Sequence, residues 1–358
     1  MLNKLKNRLL SLLKIESVTG KEKEIADYIE SLLAKQASYK NIRRYENTII
    51  CHADLDKEKK NILLAGHMDT VPGHIEIRED NARVFGRGSV DMKAGLAVML
   101  CLLENLLPAD LNYNPIFCFY SGEEGDFTSN GLKKIIEHDQ KESDELNDFW
   151  NKIALAFLLE PTGSEIQLGC QGSLHANIKI SGKAGHSARP FLANNAIYKA
   201  YDFINKIKDT KSIVHKINNL EFTEVLVITQ INTYTANNVI PGECYVNINH
   251  RFPPGTTKEM SIEVIKKLIP DDASLEIKDF VPSGKIADTS ILADFTLNSG
   301  AQIGAKQAYT DVGLLSLHGI EAINFGPGNP DMCHTENESI DAGDLLGCYM
   351  VLKNFLKS

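Results

Sequence analysis

The chain has 358 residues, 43% of them hydrophobic and 24% charged, which excludes disordered and fibrous classes and leaves room for two globular domains. Its 38 Lys and Arg stand against 47 Asp and Glu, a formal charge of −9. No basic block offsets that charge, so a grip on nucleic acid or anionic membrane is excluded and a small-molecule partner is expected. The seven cysteines are scattered and form no C-x-x-C pair, which points to reduced, packed thiols and away from a disulfide framework or a thiolate zinc site.

The opening "MLNKLKNRLLSLLKI" places leucines at 2, 5, 9, 12 and 13, the spacing of an amphipathic helix and not the continuous apolar core of a signal peptide. No run of about eighteen apolar residues occurs, so a cytoplasmic chain without a spanning helix is expected. Thr19 and Glu22 form a Thr-x-x-Glu pattern before "IADYIESLLAK", which predicts a capped second helix. "IRRYENTIICH" and "KNILLAGH" read as strands, the second apolar almost throughout and so covered on both faces. "ARVFGRGSVD" is a strand running into a Gly-rich turn, and "MKAGLAVMLCLLENLL" is a long helix rich in small residues. "NPIFCFYS" and "KIALAFLLE" are buried strands ending in polar residues. The alternation predicts an α/β fold, a mixed, mostly parallel sheet flanked by helices.

From Gly172 the pattern changes. "SLHANIKISG", "NNAIYKAYDFINKIK", "FTEVLVITQINT", "GECYVNINHRF", "TKEMSIEVIKKLI" and "ASLEIKDFV" read as strand, helix, strand, strand, helix and strand, the order of a ferredoxin-like α+β unit. Residues 172–281 are therefore expected as an inserted domain, with 1–171 and 282–358 forming a discontinuous catalytic domain.

The ends of the apolar strands carry a common chemistry. "LLAGHMD" ends with His67 and Asp69, "GRGSVD" with Asp91, "FYSGEE" with Glu123 and Glu124, and "AFLLEP" with Glu160, while "INFGPGNPDMCH" ends with His334. Active residues of open α/β sheets gather at such ends. A single strand-end histidine is more often a structural group than a ligand. Five ends converging with mostly carboxylates are different, because burying that charge without a cation is prohibitive. Imidazole and carboxylate without thiolate suit zinc, with cobalt or manganese as alternatives. Two imidazoles and three direct carboxylates exceed one catalytic zinc but suit two that share a bridging carboxylate.

"GHMDTVPG", "GRGSVDMKAG", "YSGEEG", "LEPT", "GKAGHSARP", "NNVIPG", "HRFPPG" and the terminal His334 resemble, in order and spacing, the di-zinc aminoacylase and desuccinylase metallopeptidases, over nearly the whole chain from His67 to Glu338. The resemblance implies a catalytic domain of the zinc-exopeptidase type with an inserted lid and dimerisation domain. It implies His67 and Glu160 on one Zn2+, Glu124 and His334 on the other, and Asp91 between them. Asp69 would set the tautomer of His67, and Glu123 would be the general base. His186 would reach across a homodimer to the oxyanion. Arg251 and Asn238 would contact substrate.

The stretch "YTDVGLLSLHGIEAINFGPGNPDMCHTENE" is similar to the substrate region of the actinobacterial desuccinylases. That implies hydrolysis of N-succinyl-LL-2,6-diaminopimelate, with Tyr309, Thr310, Gly326 and Gly328 near its carboxylates. Another N-acyl-amino-acid amidohydrolase of the same chemistry, such as an acetylornithine deacetylase, and an inactive binding homologue are the alternatives.

Overall fold

The computed structural model describes residues 1–80 and 82–358. These fall into two compact units, residues 1–168, 286–304 and 314–358 in the first and 169–285 with 305–313 in the second.

The first unit opens with α1 (Leu2–Leu13) and α2 (Lys23–Leu33), followed by β1 (Asn41–Tyr45), β2 (Thr48–His52), β3 (Lys60–His67), β4 (Arg78–Asp80) and β5 (Arg83–Phe85). Then come α3 (Lys93–Asn105), β6 (Tyr113–Tyr120), α4 (Gly131–Glu142), α5 (Asp144–Asn151), β7 (Ile153–Leu158) and β8 (Ile166–Leu168). In α1 the leucines at 5, 9, 12 and 13 are buried, the i, i+4, i+7, i+8 stripe that the sequence spacing predicts. The Thr19 to Glu22 pattern does not form the expected cap. The second helix starts only at Lys23, with Glu22 at its N-cap and no side-chain hydrogen bond there, which leaves Thr19 too far from the first turn.

The second unit holds β9 (Gly172–Ser181), β10 (Gly185–His186), α6 (Ala196–Lys208), β11 (Ile213–Ile217), β12 (Leu220–Asn232), β13 (Val239–Ile240), β14 (Glu243–Phe252), α7 (Lys258–Lys266) and β15 (Ser274–Val281). Its main sheet has the order β11-β12-β14-β9-β15, and β12, β14, β9 and β15 pair antiparallel, a ferredoxin-like core. Along β9 burial alternates from Leu174 to Ile180, and Leu174, Ala176, Ile178 and Ile180 meet Phe203 and Ile207 of α6 in one core. One face of the sheet is thus sealed by helices, as the period of two requires. The hairpin strand β11, unresolved in the sequence pattern, extends the edge.

The chain continues through α8 (Ser290–Ser299), β16 (Ile303–Ala305), α9 (Val312–Leu317), β17 (Ala322–Asn324), β18 (Ser339–Asp341) and α10 (Ala342–Lys357), most of which belong to the first unit. The large sheet runs β1-β2-β6-β3-β7-β17-β8-β16, with its four central strands β6, β3, β7 and β17 parallel. Every residue of β3 after Lys60 is buried, and α3 is buried from Lys93 through Leu103. Small residues let the helix sit this close to the sheet: a Cβ on Gly95 would lie 2.4 Å from the Leu159 carbonyl oxygen, and one on Gly66 2.5 Å from Cε of Met92. The fold is a mixed, mostly parallel sheet with helices, carrying a separate antiparallel α+β unit. None of the seven cysteines is in a disulfide, and all but Cys333 are buried. Among the described residues no helix is long and apolar enough to cross a membrane.

Candidate metal centre

Two strand ends and three turns or loops of the first unit bring one side chain each to a common point. His67 is the last residue of β3, held between β6 and β7 by parallel ladders. Asp91 lies in the turn before α3, Glu124 in the turn after β6, Glu160 two residues beyond β7, and His334 in the loop before β18. Their polar atoms converge. His67 Nε2 lies 3.1 Å from Asp91 Oδ1 and 3.9 Å from Glu160 Oε1. His334 Nε2 lies 2.8 Å from Glu124 Oε1 and 3.3 Å from Asp91 Oδ2. Asp91 therefore turns one oxygen to each imidazole. His67, Asp91 and Glu124 each offer a ligand atom, all within 4.8 Å of one another.

The tautomer of His67 follows from its second nitrogen. Nδ1 is 3.0 Å from the main-chain carbonyl of Asp69, and a carbonyl can only accept, so Nδ1 carries a proton and Nε2 is the nitrogen that faces Asp91 and Glu160. The Asp69 carboxylate is farther from the ring, at 3.5 Å, and its main work lies elsewhere. Its Oδ1 accepts the amide of Glu123 at 3.1 Å, and its Oδ2 accepts the amide of Glu124 at 3.0 Å and the hydroxyl of Thr19 at 2.9 Å. The threonine that reads as a helix cap thus serves this carboxylate. Because β6 ends at Tyr120, Glu123 and Glu124 occupy a turn and not the strand. Strand alternation does not separate them; the Asp69 carboxylate does, by fixing both amides. Gly122 makes the turn possible, with φ of 75° and no room for a Cβ, which would lie 2.8 Å from the Ser129 carbonyl oxygen.

The electrostatics show what the cluster requires. At His67 burial alone would depress the pKa, yet bonds to Asp69 and Asp91 with the charge of Glu160 raise it well above the ordinary value. Hydrogen bonds to Asp91 and Glu124 push His334 up to about 10. Burial would raise the pKa of Asp91, but His334 and His67 pull it far below the usual carboxylate range. Three carboxylates around two imidazoles stabilise positive charge at two positions, which is the environment that divalent ions meet. The donor set, nitrogen and oxygen without thiolate, fits zinc or a similar first-row ion.

Gly326 and Gly328 also lie in this unit. A Cβ on Gly326 would be 2.4 Å from the carbonyl oxygens of Leu159 and Glu160, and its amide donates to Thr162 Oγ1 at 3.2 Å. Gly326 thereby packs against the Glu160 turn, with its amide bonded to Thr162. Gly328, at φ of 93°, accepts the amide of Gly163 in the same turn at 2.7 Å.

The other predicted site residues belong to the second unit. His186 is exposed on β10 opposite Val239 of β13, and the Ser187 amide donates to the Asn238 carbonyl at 3.0 Å. The two-stranded ribbon therefore brings His186 and Asn238 together. Arg251 lies on β14, its Nε donating to Asn249 Oδ1 at 3.1 Å, with burial lowering its pKa. The Tyr309 hydroxyl is 3.1 Å from Asp311 Oδ1, and Thr310 is buried with its Oγ1 unpartnered. Three residues around the centre escape a sequence reading: Thr19, Arg87 and the fully buried Glu338, whose carboxylate accepts the amides of Val90 and Asp91. Nothing in the local pattern "HTENE" distinguishes Glu338 from its exposed neighbour Glu336.

The chain is 33% identical over 351 residues to the DapE protein of Mycobacterium tuberculosis, covering 97% of this chain and 96% of the relative. It is also 33% identical over 356 residues to the succinyl-diaminopimelate desuccinylase of Corynebacterium glutamicum, covering 96% and 94%. Among solved structures, the aminopeptidase PepT of Bacillus cereus matches with a TM-score of 0.79 at 18% identity over 100% of this chain and 98% of that one. The YXEP protein of Bacillus subtilis, described as a dinuclear metal binding peptidase, matches with a TM-score of 0.71 at 16% identity over 99% and 97%. The sequence model of peptidase family M20/M25/M40 matches residues 63–358, and the chain belongs to that family.

Proposed function

We propose that this M20 metallohydrolase cleaves N-succinyl-LL-2,6-diaminopimelate to succinate and LL-2,6-diaminopimelate, a step in lysine and diaminopimelate formation. The observation that carries the chemistry is Asp91, whose two oxygens face two different imidazoles. It supports a pair of ions, one held by His67, Asp91 and Glu160 and one by Asp91, Glu124 and His334, with Zn2+ the best fit and Co2+ or Mn2+ able to substitute. When bound, the pair would polarise the scissile carbonyl and acidify a nearby water. Glu123, its amide anchored on Asp69, takes a proton from the attacking water and returns it to the departing amine nitrogen. The C–N bond breaks, a C–O bond forms, and succinate and the free amine leave.

The remaining assignments lie in the second unit. His186 donates to the developing oxyanion from the partner subunit. Arg251 grips a substrate carboxylate with its planar fork, helped by Asn238, Tyr309 and Thr310. The homodimer is supported by the exposed apolar side chains Ile197, Tyr198 and Tyr201 on α6 and Val227 and Ile231 on β12.

The substrate assignment draws on the relatives, which are named for desuccinylase activity. A panel of succinyl-diaminopimelate, acetylornithine and simple dipeptides on the zinc-loaded protein tests it. Turnover of the first should dominate; cleavage of acetylornithine alone would replace the desuccinylase reading with the deacetylase one.

A further inference from the structure

Two turns of the first unit are tied together beside the metal centre. β5 and β18 pair antiparallel with Ser339 opposite Phe85, and the ladder continues one step through the Gly86 amide, which donates to the Glu338 carbonyl at 3.3 Å. Beyond that point one strand leads to Asp91 and the other, followed backwards, leads to His334. The buried Glu338 side chain spans the gap. Its Oε1 accepts the amides of Val90 at 2.9 Å and Asp91 at 3.2 Å, while its Oε2 pairs with Arg87 Nη1 at 2.9 Å. The same Nη1 donates to the carbonyl of Thr335 at 3.2 Å. One carboxylate thus holds the backbone at Asp91 while its cationic partner holds the backbone next to His334.

The two halves of the centre differ in how much they need this support. His67 is fixed by the β6 and β7 ladders, and Glu160 by the close packing of Gly326. His334 belongs to no strand or helix, has a side chain 48% exposed, and sits at φ of 61°, a left-handed conformation that costs a residue with a Cβ. Its loop must be held from outside.

We propose that Glu338 and Arg87 are positioning residues that set the spacing between Asp91 and His334, and with it the affinity of the His334 half of the centre for its ion. This rests on the assignment of His67, Asp91, Glu124, Glu160 and His334 as ligands. Partners of metal ligands typically change affinity by about 10–100-fold. Glu338→Gln keeps an oxygen for the two amides but breaks the ion pair; Arg87→Lys keeps the charge but loses the simultaneous reach to Glu338 and Thr335.

The test is cobalt(II) titration of the full-length, chelator-treated protein, followed by visible absorption in competition with a chelator. Wild type should take two equivalents and His334→Ala should retain one. In Glu338→Gln the equivalent that His334→Ala loses should weaken about 10–100-fold while the other stays tight, and Arg87→Lys should weaken the same one. Should Glu338→Gln fail to fold, Arg87→Lys carries the test alone. A purely structural role would lower the unfolding midpoint of the metal-free protein and leave both affinities as in wild type. That result, or equal weakening of both equivalents, overturns the proposal while leaving the ligand assignment intact. Wild type that binds no cobalt would instead remove the ligand assignment, and the proposal with it.

Discussion

Asp69→Asn tests the anchoring of the glutamate turn by this carboxylate. The native side chain is fully buried and accepts from the amides of Glu123 and Glu124 and from the Thr19 hydroxyl. An asparagine has one acceptor oxygen, and its NH2 group must face either the Glu123 amide or the Glu124 amide and Thr19, donor against donor. One or two charge-assisted hydrogen bonds are lost, at about 1.5–3 kcal/mol each, so the metal-free first unit should lose about 1.5–6 kcal/mol. With a urea slope of about 2–3 kcal/mol/M, the midpoint should fall by about 0.5–3 M. The single tryptophan makes the assay local, because Trp150 is buried in the first unit and bonded to Asp139. Tryptophan fluorescence should report the shift, and hydrogen exchange at the Glu123 and Glu124 amides should accelerate in parallel. A midpoint within about 0.2 M of wild type, with both amides still protected, would refute the anchoring role.

Three further outcomes follow from the site and the second unit. Glu123→Gln should leave metal content unchanged and abolish turnover, since only the proton acceptor is removed; residual activity near wild type would rule Glu123 out as the base. His186→Ala should lower kcat by about 10²–10³, the usual cost of one oxyanion donor. Mixing it with Glu123→Gln chains should restore part of the activity if His186 acts across the dimer, and verified heterodimers without recovery would place its action within its own chain. In the second unit, Glu224 accepts from His250 at 2.8 Å and His215 at 2.6 Å. The His250 bond, with help from His215 and against burial, lowers its pKa below the ordinary 4.5. The folded value lies below the unfolded one, so the stabilisation is complete above 4.5 and disappears as pH falls through the folded value. The stability gap between wild type and Glu224→Gln should therefore narrow below pH 4.5 in circular dichroism unfolding curves; a gap constant down to pH 3 would contradict the linkage.

Much of the architecture is written locally. The 3.6-residue stripe of α1, the unbroken apolar run of β3 and the alternation along β9 are properties of short windows, because burial of one face or two depends on side chains a few residues apart. So are the small residues of α3, which announce close packing before any partner is known. The same windows place His67, Glu124 and Glu160 at or just beyond the ends of β3, β6 and β7, and the parallel pairing of these strands gathers those ends at one edge. That made these three converging side chains legible from the sequence.

What the sequence leaves open is every contact made between segments distant along the chain. Thr19 reads as a helix cap and bonds Asp69 instead; the two glutamates read as strand-end residues and lie in a turn held by that same carboxylate. Asp69 reads as a partner of the His67 ring and proves to be nearer through its carbonyl. Gly326, which the resemblance implies near the substrate carboxylates, packs against the backbone of Leu159 and Glu160 in space. Glu338 lies among other acids, and only the β5–β18 ladder brings it to the amide of Asp91, 247 residues away. Composition and periodicity determine which faces are buried and which groups reach the sheet edge, because those depend on near neighbours. Which oxygen meets which nitrogen is decided by the tertiary fold alone, because hydrogen bonds require positions set to a few tenths of an ångström, and only the packed core fixes distant segments that closely.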